Sequence, residues 1–440
     1  MPTDAIERDR IFAVVQSALA AQPITDLHTH LYSPGFGTPV ANAAGQIDPA
    51  GLMLWGVDEL VTYHYLIAEV FRVVPATVLP YDRFFKLGKH EQADHIWRTL
   101  FVERTPISEA CRGILTTLQK LGLDPNEKTL TPYRKYFSRQ RPGAFVDRVM
   151  GLANVKSITM TNAVFDDNER ARWLNDPAAL ADPRFRSVLR IDPLLLDYPS
   201  AAEKMSSWGY DVSPEIGERT VEEGRRFLRE WIDRQKAIYV AVSLPPEFRY
   251  PAAPADAISN AGQRMLEKVV LPVCAERGLP FAMMIGSHRG VNPGLRDAGD
   301  MGGKADVASV VNLCRAFAGN KFMVTMLARE NQHELCVAAR KFGNLMIFGC
   351  WWFLNNPSLI EEIERMRFEL LGTSFIPQHS DARVLDQLLY KWEHSRRIIG
   401  KVLAEKYVDL FDAGWHVARH AIERDVHLLL EGNFSEFLSR

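Results

Sequence analysis

Eight short apolar runs, each bounded by turn residues and followed by polar ones, recur along the chain and alternate with segments of helical period. They are Ile24–His30, Ser157–Asn162, Ser187–Asp192, Ile238–Ser243, Phe281–Gly286, Phe322–Leu327, Leu345–Trp351 and Phe375–Asp381. A run such as Phe281-Ala-Met-Met-Ile-Gly286 is apolar on both faces, which suits a parallel strand covered by helices on either side. Segments such as Glu222–Gln235, Ala261–Arg277, Asp306–Ala318 and Gln332–Phe342 supply those helices. This alternation predicts an α/β fold of the (β/α)8 TIM-barrel type. A doubly wound sheet is disfavoured, because no Gly-x-Gly-x-x-Gly turn follows the first run and polar residues gather after nearly every run rather than at one crevice.

The spacing breaks once, between His28 and Thr159. Helical periods at Asp58–Val73, His90–Arg104, Ser108–Leu121 and Phe145–Leu152 predict a helical insertion there, residues 55–153, covering the barrel mouth. Residues 384–440 are also helical in pattern and are expected to close the barrel, and no linker or repeat divides the chain, so 1–440 is expected to form one unit. Lys+Arg number 52 and Asp+Glu 54, a formal charge of -2, which leaves no net field for a polyanion or an anionic membrane, so nucleic acid is not an expected partner. Leu345–Leu354, the longest strongly apolar stretch, is far short of the roughly 20 residues of a membrane span. Met1–Ala21 is broken by Asp4, Glu7, Arg8, Asp9 and Arg10 and lacks the apolar core of a secretory signal, so a cytoplasmic location is expected. The five cysteines form no Cys-x-x-Cys pair and are expected to be reduced and buried.

The chemistry concentrates at the first and last runs. In Asp26-Leu-His28-Thr-His30, strand alternation points both imidazoles to one side, with Asp26 one step deeper as an orienting partner or a structural carboxylate. In His379-Ser-Asp381-Ala-Arg383 the same alternation aligns His379, Asp381 and Arg383. A closed barrel places its eighth strand beside its first, so Asp381 reaches His28 and His30. Two imidazoles and one carboxylate with open positions form the ligand set of a catalytic metal.

Together with Val57-Asp-Glu-Leu-Val-Thr-Tyr-His-Tyr, Met160-Thr-Asn, Asp166-Asp-Asn-Glu-Arg and Arg190-Ile-Asp-Pro-Leu-Leu, these motifs resemble the amidohydrolase superfamily, and within it the uronate isomerases of the divergent bacterial branch. The resemblance covers nearly the whole chain. It implies an aldose–ketose isomerase that interconverts a hexuronate with its keto form through a cis-enediol, either D-glucuronate with D-fructuronate or D-galacturonate with D-tagaturonate. It also implies one divalent metal on His28, His30 and Asp381, with zinc suiting the donors and manganese as the alternative. The implied catalytic residues are Asp381 as base, Tyr65 as proton relay and Arg383 as the cation that lowers the Tyr65 pKa and stabilises charge. His64, Arg170, Arg329 and Trp351 are the candidate substrate contacts, with the Arg170 fork suited to the carboxylate.

One departure from the superfamily pattern is that neither the fifth nor the sixth run contains histidine; His288 and His333 lie beyond them, where loop or surface roles are expected. A binuclear hydrolytic site is thus poorly supported. The rival readings are a hydrolase or decarboxylase of the same superfamily acting on a sugar-acid-like carboxylate, and a sugar-acid binding protein that has lost catalysis. The expected partner is a small hexuronate, with a homo-oligomer left open.

Overall fold

Five parallel strands, β1 (Ile24–Thr29), β2 (Val155–Ala163), β3 (Phe185–Arg190), β4 (Val240–Leu244) and β5 (Phe281–Ile285), pair in chain order. The sheet continues through β8 (Phe322–Met326) and β9 (Leu345–Ile347), while β6 (Ser287–His288) and β7 (Met301–Gly302) form a short antiparallel ribbon after β5. The computed structural model describes residues 5–440 except 42, 44, 46, 176–180 and 255. Leu27, Val188, Ala241, Ala282, Met323 and Met346, drawn from six of the seven sheet strands, form an apolar cluster inside the ring.

The eighth run, Phe375–Asp381, closes the ring without becoming a regular strand. On one side Phe348 bridges Ile376 in parallel, and Gly349 N donates to Ile376 O at 2.9 Å. On the other, Asp381 N donates to His28 O at 3.1 Å and His30 N to Ala382 O at 2.7 Å. Pro377 has no N–H to offer a ladder, which accounts for the interruption. The fold is a (β/α)8 barrel whose last strand is reduced to these contacts.

Strand β1 is irregular too. Its register against β2 shifts between Asp26 and Thr29, so the alternation expected along Asp26-Leu27-His28 is interrupted. Leu27 joins the barrel interior, and Asp26 turns outward instead of supporting an imidazole. Its carboxylate accepts from Ser380 N at 3.1 Å and Trp392 Nε1 at 2.8 Å, tying β1 to the eighth run and to the C-terminal helix Gln387–Asp412. Asp26→Asn presents an amide hydrogen to one of these buried donors and is expected to cost about 1–3 kcal/mol, read as a lower thermal midpoint; an unchanged midpoint would remove Asp26 from the closure.

Between β1 and β2 run helices Val57–Val61, His64–Val73, Tyr81–Lys86, Lys89–Trp97, Glu109–Lys120, Thr131–Phe137 and Pro142–Ala153. The period over Asp58–Val73 predicts one helix, but the chain breaks at Thr62 and Tyr63. Thr62 Oγ1 donates to Asp58 O at 2.7 Å and Tyr63 is extended (φ −64°, ψ 142°). Five buried cysteines are unpaired, and among the described residues no helix is long and apolar enough to cross a membrane.

Candidate active site

The carboxyl end of β1 and the end of the eighth run meet at the barrel mouth. There His28 Nε2 lies 3.5 Å and His30 Nε2 3.3 Å from Asp381 Oδ1. Ligand atoms of all three residues fall within 4.8 Å of one another, the one grouping of this kind among the described residues. His28 Nδ1 is 3.1 Å from Thr161 Oγ1; with its proton given to that hydroxyl, Nε2 keeps a lone pair toward the other two ligands. Burial drives the His30 imidazole down to about 3, against the pull of Asp381, so it is a neutral donor. Burial opposes ionisation of Asp381, yet its carboxyl is held well below the usual range, with the Lys391 ammonium among the groups that favour the charge. His28 Nε2 and Asp381 Oδ1 are buried with no hydrogen-bond partner. Two imidazoles and a carboxylate converging on one point, with His28 Nε2 and Asp381 Oδ1 unpartnered, fit a divalent transition metal.

Asp381 sits at φ +50°, a left-handed conformation that Asp tolerates better than most residues. Lys391 Nζ pins the turn from below, donating to Ser380 O at 2.6 Å and Asp381 O at 3.4 Å. The adjoining cavity, about 20 Å³, is lined by the three candidate ligands together with His64, Ser243, Met284, Trp351, Trp352 and three arginines. Arg190, at the end of β3, pairs with Asp192 at 2.9 Å. Arg289, on the segment joining β6 to β7, pairs with Asp300 and stacks over the Trp352 ring. Arg383 reaches Asp297 at 3.4 Å.

The break before His64 turns three consecutive aromatic residues toward this mouth. The rings of Tyr63, His64 and Tyr65 lie 4.1–4.9 Å apart, and His64 meets Trp352 edge-on at 5.7 Å. Burial and then Arg383 push His64 well below its ordinary value, so it is neutral, and its Nε2 has no partner. Tyr65 lines a second cavity of about 260 Å³ that shares Trp352 with the first and is bounded also by Tyr390 and Lys391. The expected lowering of the Tyr65 phenol by Arg383 is present but outweighed by burial, which raises it well above its ordinary value.

Two expected substrate contacts lie elsewhere. Arg170 stacks on Trp208, 4.1 Å from its ring centre, and near Trp231. Its neighbour Glu169 takes the inward position on the helix Asp167–Asn175, accepting from Asn162 Nδ2 at 2.7 Å and Tyr32 Oη at 2.9 Å. Consecutive helical residues point about 100° apart, so only one of the two can face in. Arg329 is exposed and pairs with Glu362 at 2.8 Å instead of reaching the cavity. Arg190, Arg289 and Trp352 replace them as cavity-lining groups. Arg190 shares its strand face with Val188 of the barrel interior, a parity that the sequence carries; Arg289 follows no period.

No protein-family model and no curated protein matches the chain. Among solved structures it is similar to a uronate isomerase of Bacillus halodurans C-125, with 49% identity, TM-score 0.91, and 99% of this chain and 97% of that one covered. A glucuronate isomerase of Caulobacter crescentus has TM-score 0.73 at 16% identity, covering 98% and 94%. A uronate isomerase of Thermotoga maritima has TM-score 0.67 at 14% identity, covering 98% and 97%, and these last two likenesses bear on the fold alone.

Proposed function

The chain belongs to the uronate isomerase family, and from that premise we propose that it interconverts D-glucuronate with D-fructuronate, or D-galacturonate with D-tagaturonate, using one divalent metal. The observation that carries this reading is the convergence of His28, His30 and Asp381 on one side of a cavity whose other walls supply His64 and three guanidinium groups. A metal held by those three residues, zinc by donor type with manganese as the alternative, would supply Lewis acidity beside the sugar's C1 and C2 oxygens.

Converting the C1 aldehyde to a C2 ketone moves one proton from C2 to C1 and another from O2 to O1. The ionised Asp381 carboxylate takes the C2 proton and returns it at C1. Arg383 stabilises the negative charge that builds on the enediol oxygens between those steps. Tyr65, kept protonated by burial, gives its proton to O1 and regains the one leaving O2. Neutral His64 accepts a hydrogen bond from a sugar hydroxyl, and Trp351 walls the open-chain sugar. With Arg170 turned away, the substrate carboxylate falls to Arg190 and Arg289. A space of about 20 Å³ has room for about one water, so a hexuronate needs its lining side chains to part.

The test is proton NMR of the purified protein with each aldose in deuterated water. Ketose formation from either sugar is expected; neither ketose nor deuterium exchange, in protein with metal bound, would overturn the reading. Tyr65→Phe is expected to lower kcat about 10²-fold with a much smaller change in KM. Steady-state kinetics at wild-type kcat would take Tyr65 out of the relay.

A further inference from the structure

Outside the cavity, the most heavily buried charge pair among the described residues is Arg367 with Glu364, on the helix Pro357–Leu371. Arg367 is 1% exposed and Glu364 fully buried, their nearest atoms 3.0 Å apart. An ion pair so placed is costly to desolvate and is weak evidence of stabilisation in itself. What distinguishes it is where the rest of the guanidinium goes. Arg367 Nη2 donates to Gly349 O at 2.7 Å, and Nη1 donates to Pro377 O at 3.2 Å. Those carbonyls follow β9 and belong to the irregular eighth run, and one rigid fork spans them where the ladder is interrupted. Arg367 also lies 3.5 Å from Gln332 Oε1, whose amide donates to Met326 O at 2.8 Å and Ala328 O at 3.1 Å, at the end of β8.

Both gripped segments lead to the metal-ligand candidates. Pro377 precedes His379 and Asp381 on the same short run. Gly349, at φ +65°, packs so closely on His379 that a Cβ there would sit 1.8 Å from His379 Nδ1. The His379 ring in turn meets His28 edge-on at 5.2 Å. A shift of either carbonyl is therefore transmitted to Asp381 along the chain and to His28 through His379.

We propose that Arg367, held by Glu364 and Gln332, is a positioning residue that stands in for the missing ladder and keeps Asp381 aligned with His28 and His30. The role in catalysis rests on the isomerase reading above. The experiment compares wild type, the apolar double variant Arg367→Met/Glu364→Leu, and Arg367→Lys. The double variant removes both charges together, so no uncompensated ion is left buried. Three quantities are measured: the thermal transition, Zn2+ affinity by competition with a chromogenic chelator, and kcat and KM with the better hexuronate.

The expected result is a cooperatively folded double variant whose Zn2+ affinity and kcat each fall about 10- to 100-fold with little change in KM, and partial recovery of both in Arg367→Lys. A folded double variant with wild-type Zn2+ affinity and kcat would overturn the proposal, leaving the pair a packing feature. If the double variant does not fold, Arg367→Lys decides by the same readings, a loss supporting the role and wild-type values refuting it. Wild-type protein that binds no Zn2+ would refute the metal reading, and kcat then decides for Arg367. Wild-type protein that binds Zn2+ but turns over neither sugar would refute the isomerase reading, and the affinity decides.

Discussion

Asp381→Asn is expected to lower kcat for the proposed hexuronate isomerisation by about 10²- to 10⁴-fold and to leave the fold in place. Asparagine is the informative replacement because the backbone at this position is left-handed, φ +50°, a region in which Asn is as comfortable as Asp. Alanine would add strain there and confuse a chemical loss with a conformational one. The other acids near the cavity are engaged with arginines: Asp192 with Arg190, Asp297 with Arg383 and Asp300 with Arg289. None of them is free to take over the transfer between C2 and C1. Steady-state kinetics alongside a thermal melt checks the prediction. Wild-type turnover in the folded variant would move the base elsewhere, with His64 the next group to test.

How much of this was legible in the sequence depended on whether a side chain's direction follows from a local period. His28, His30 and Asp381 could be brought together before any coordinates, because a closed barrel makes its last strand the neighbour of its first. The same logic reaches Arg190, which shares parity with Val188, whereas Arg170, the sequence's candidate for the carboxylate, sits on a helix where a one-residue difference sends Glu169 inward and the arginine onto Trp208. Of the two roles open to Asp26 the structure shows the structural one, since the register shift in β1 breaks the alternation between it and His28. Arg289 and Trp352 hang on segments without any period, and only the assembled fold says where those lead. Arg367 is hidden most deeply, because on a helix its sequence neighbours read like an ordinary charged surface. The acceptors that require it, Gly349 O and Pro377 O, exist only because the eighth strand is incomplete.

Removing divalent metal with a strong chelator is expected to lower turnover by at least about 10²-fold, with Zn2+ or Mn2+ restoring it. The prediction follows from the protonation states and from what the three groups lack. An imidazole binds a metal only when neutral, and His30 is held neutral by burial while His28 directs its Nδ1 toward Thr161. Asp381 brings the single negative charge, and the unpartnered Asp381 Oδ1 and His28 Nε2 would otherwise leave buried polar atoms unsatisfied. Three protein ligands leave coordination positions for substrate, as a catalytic site requires and a structural zinc site does not. A second reading needs no substrate at all. Metal that binds the folded chain and not the unfolded one raises the thermal midpoint, by an amount corresponding to about 2.7 kcal/mol at a free concentration one hundred times Kd. His28→Ala combined with His30→Ala should abolish that rise, whereas a metal held by exposed carboxylates elsewhere would leave it intact. Full activity in chelated protein shown by elemental analysis to be metal-free would refute the metal's part in the reaction and return the whole of the catalysis to Asp381, Tyr65 and Arg383.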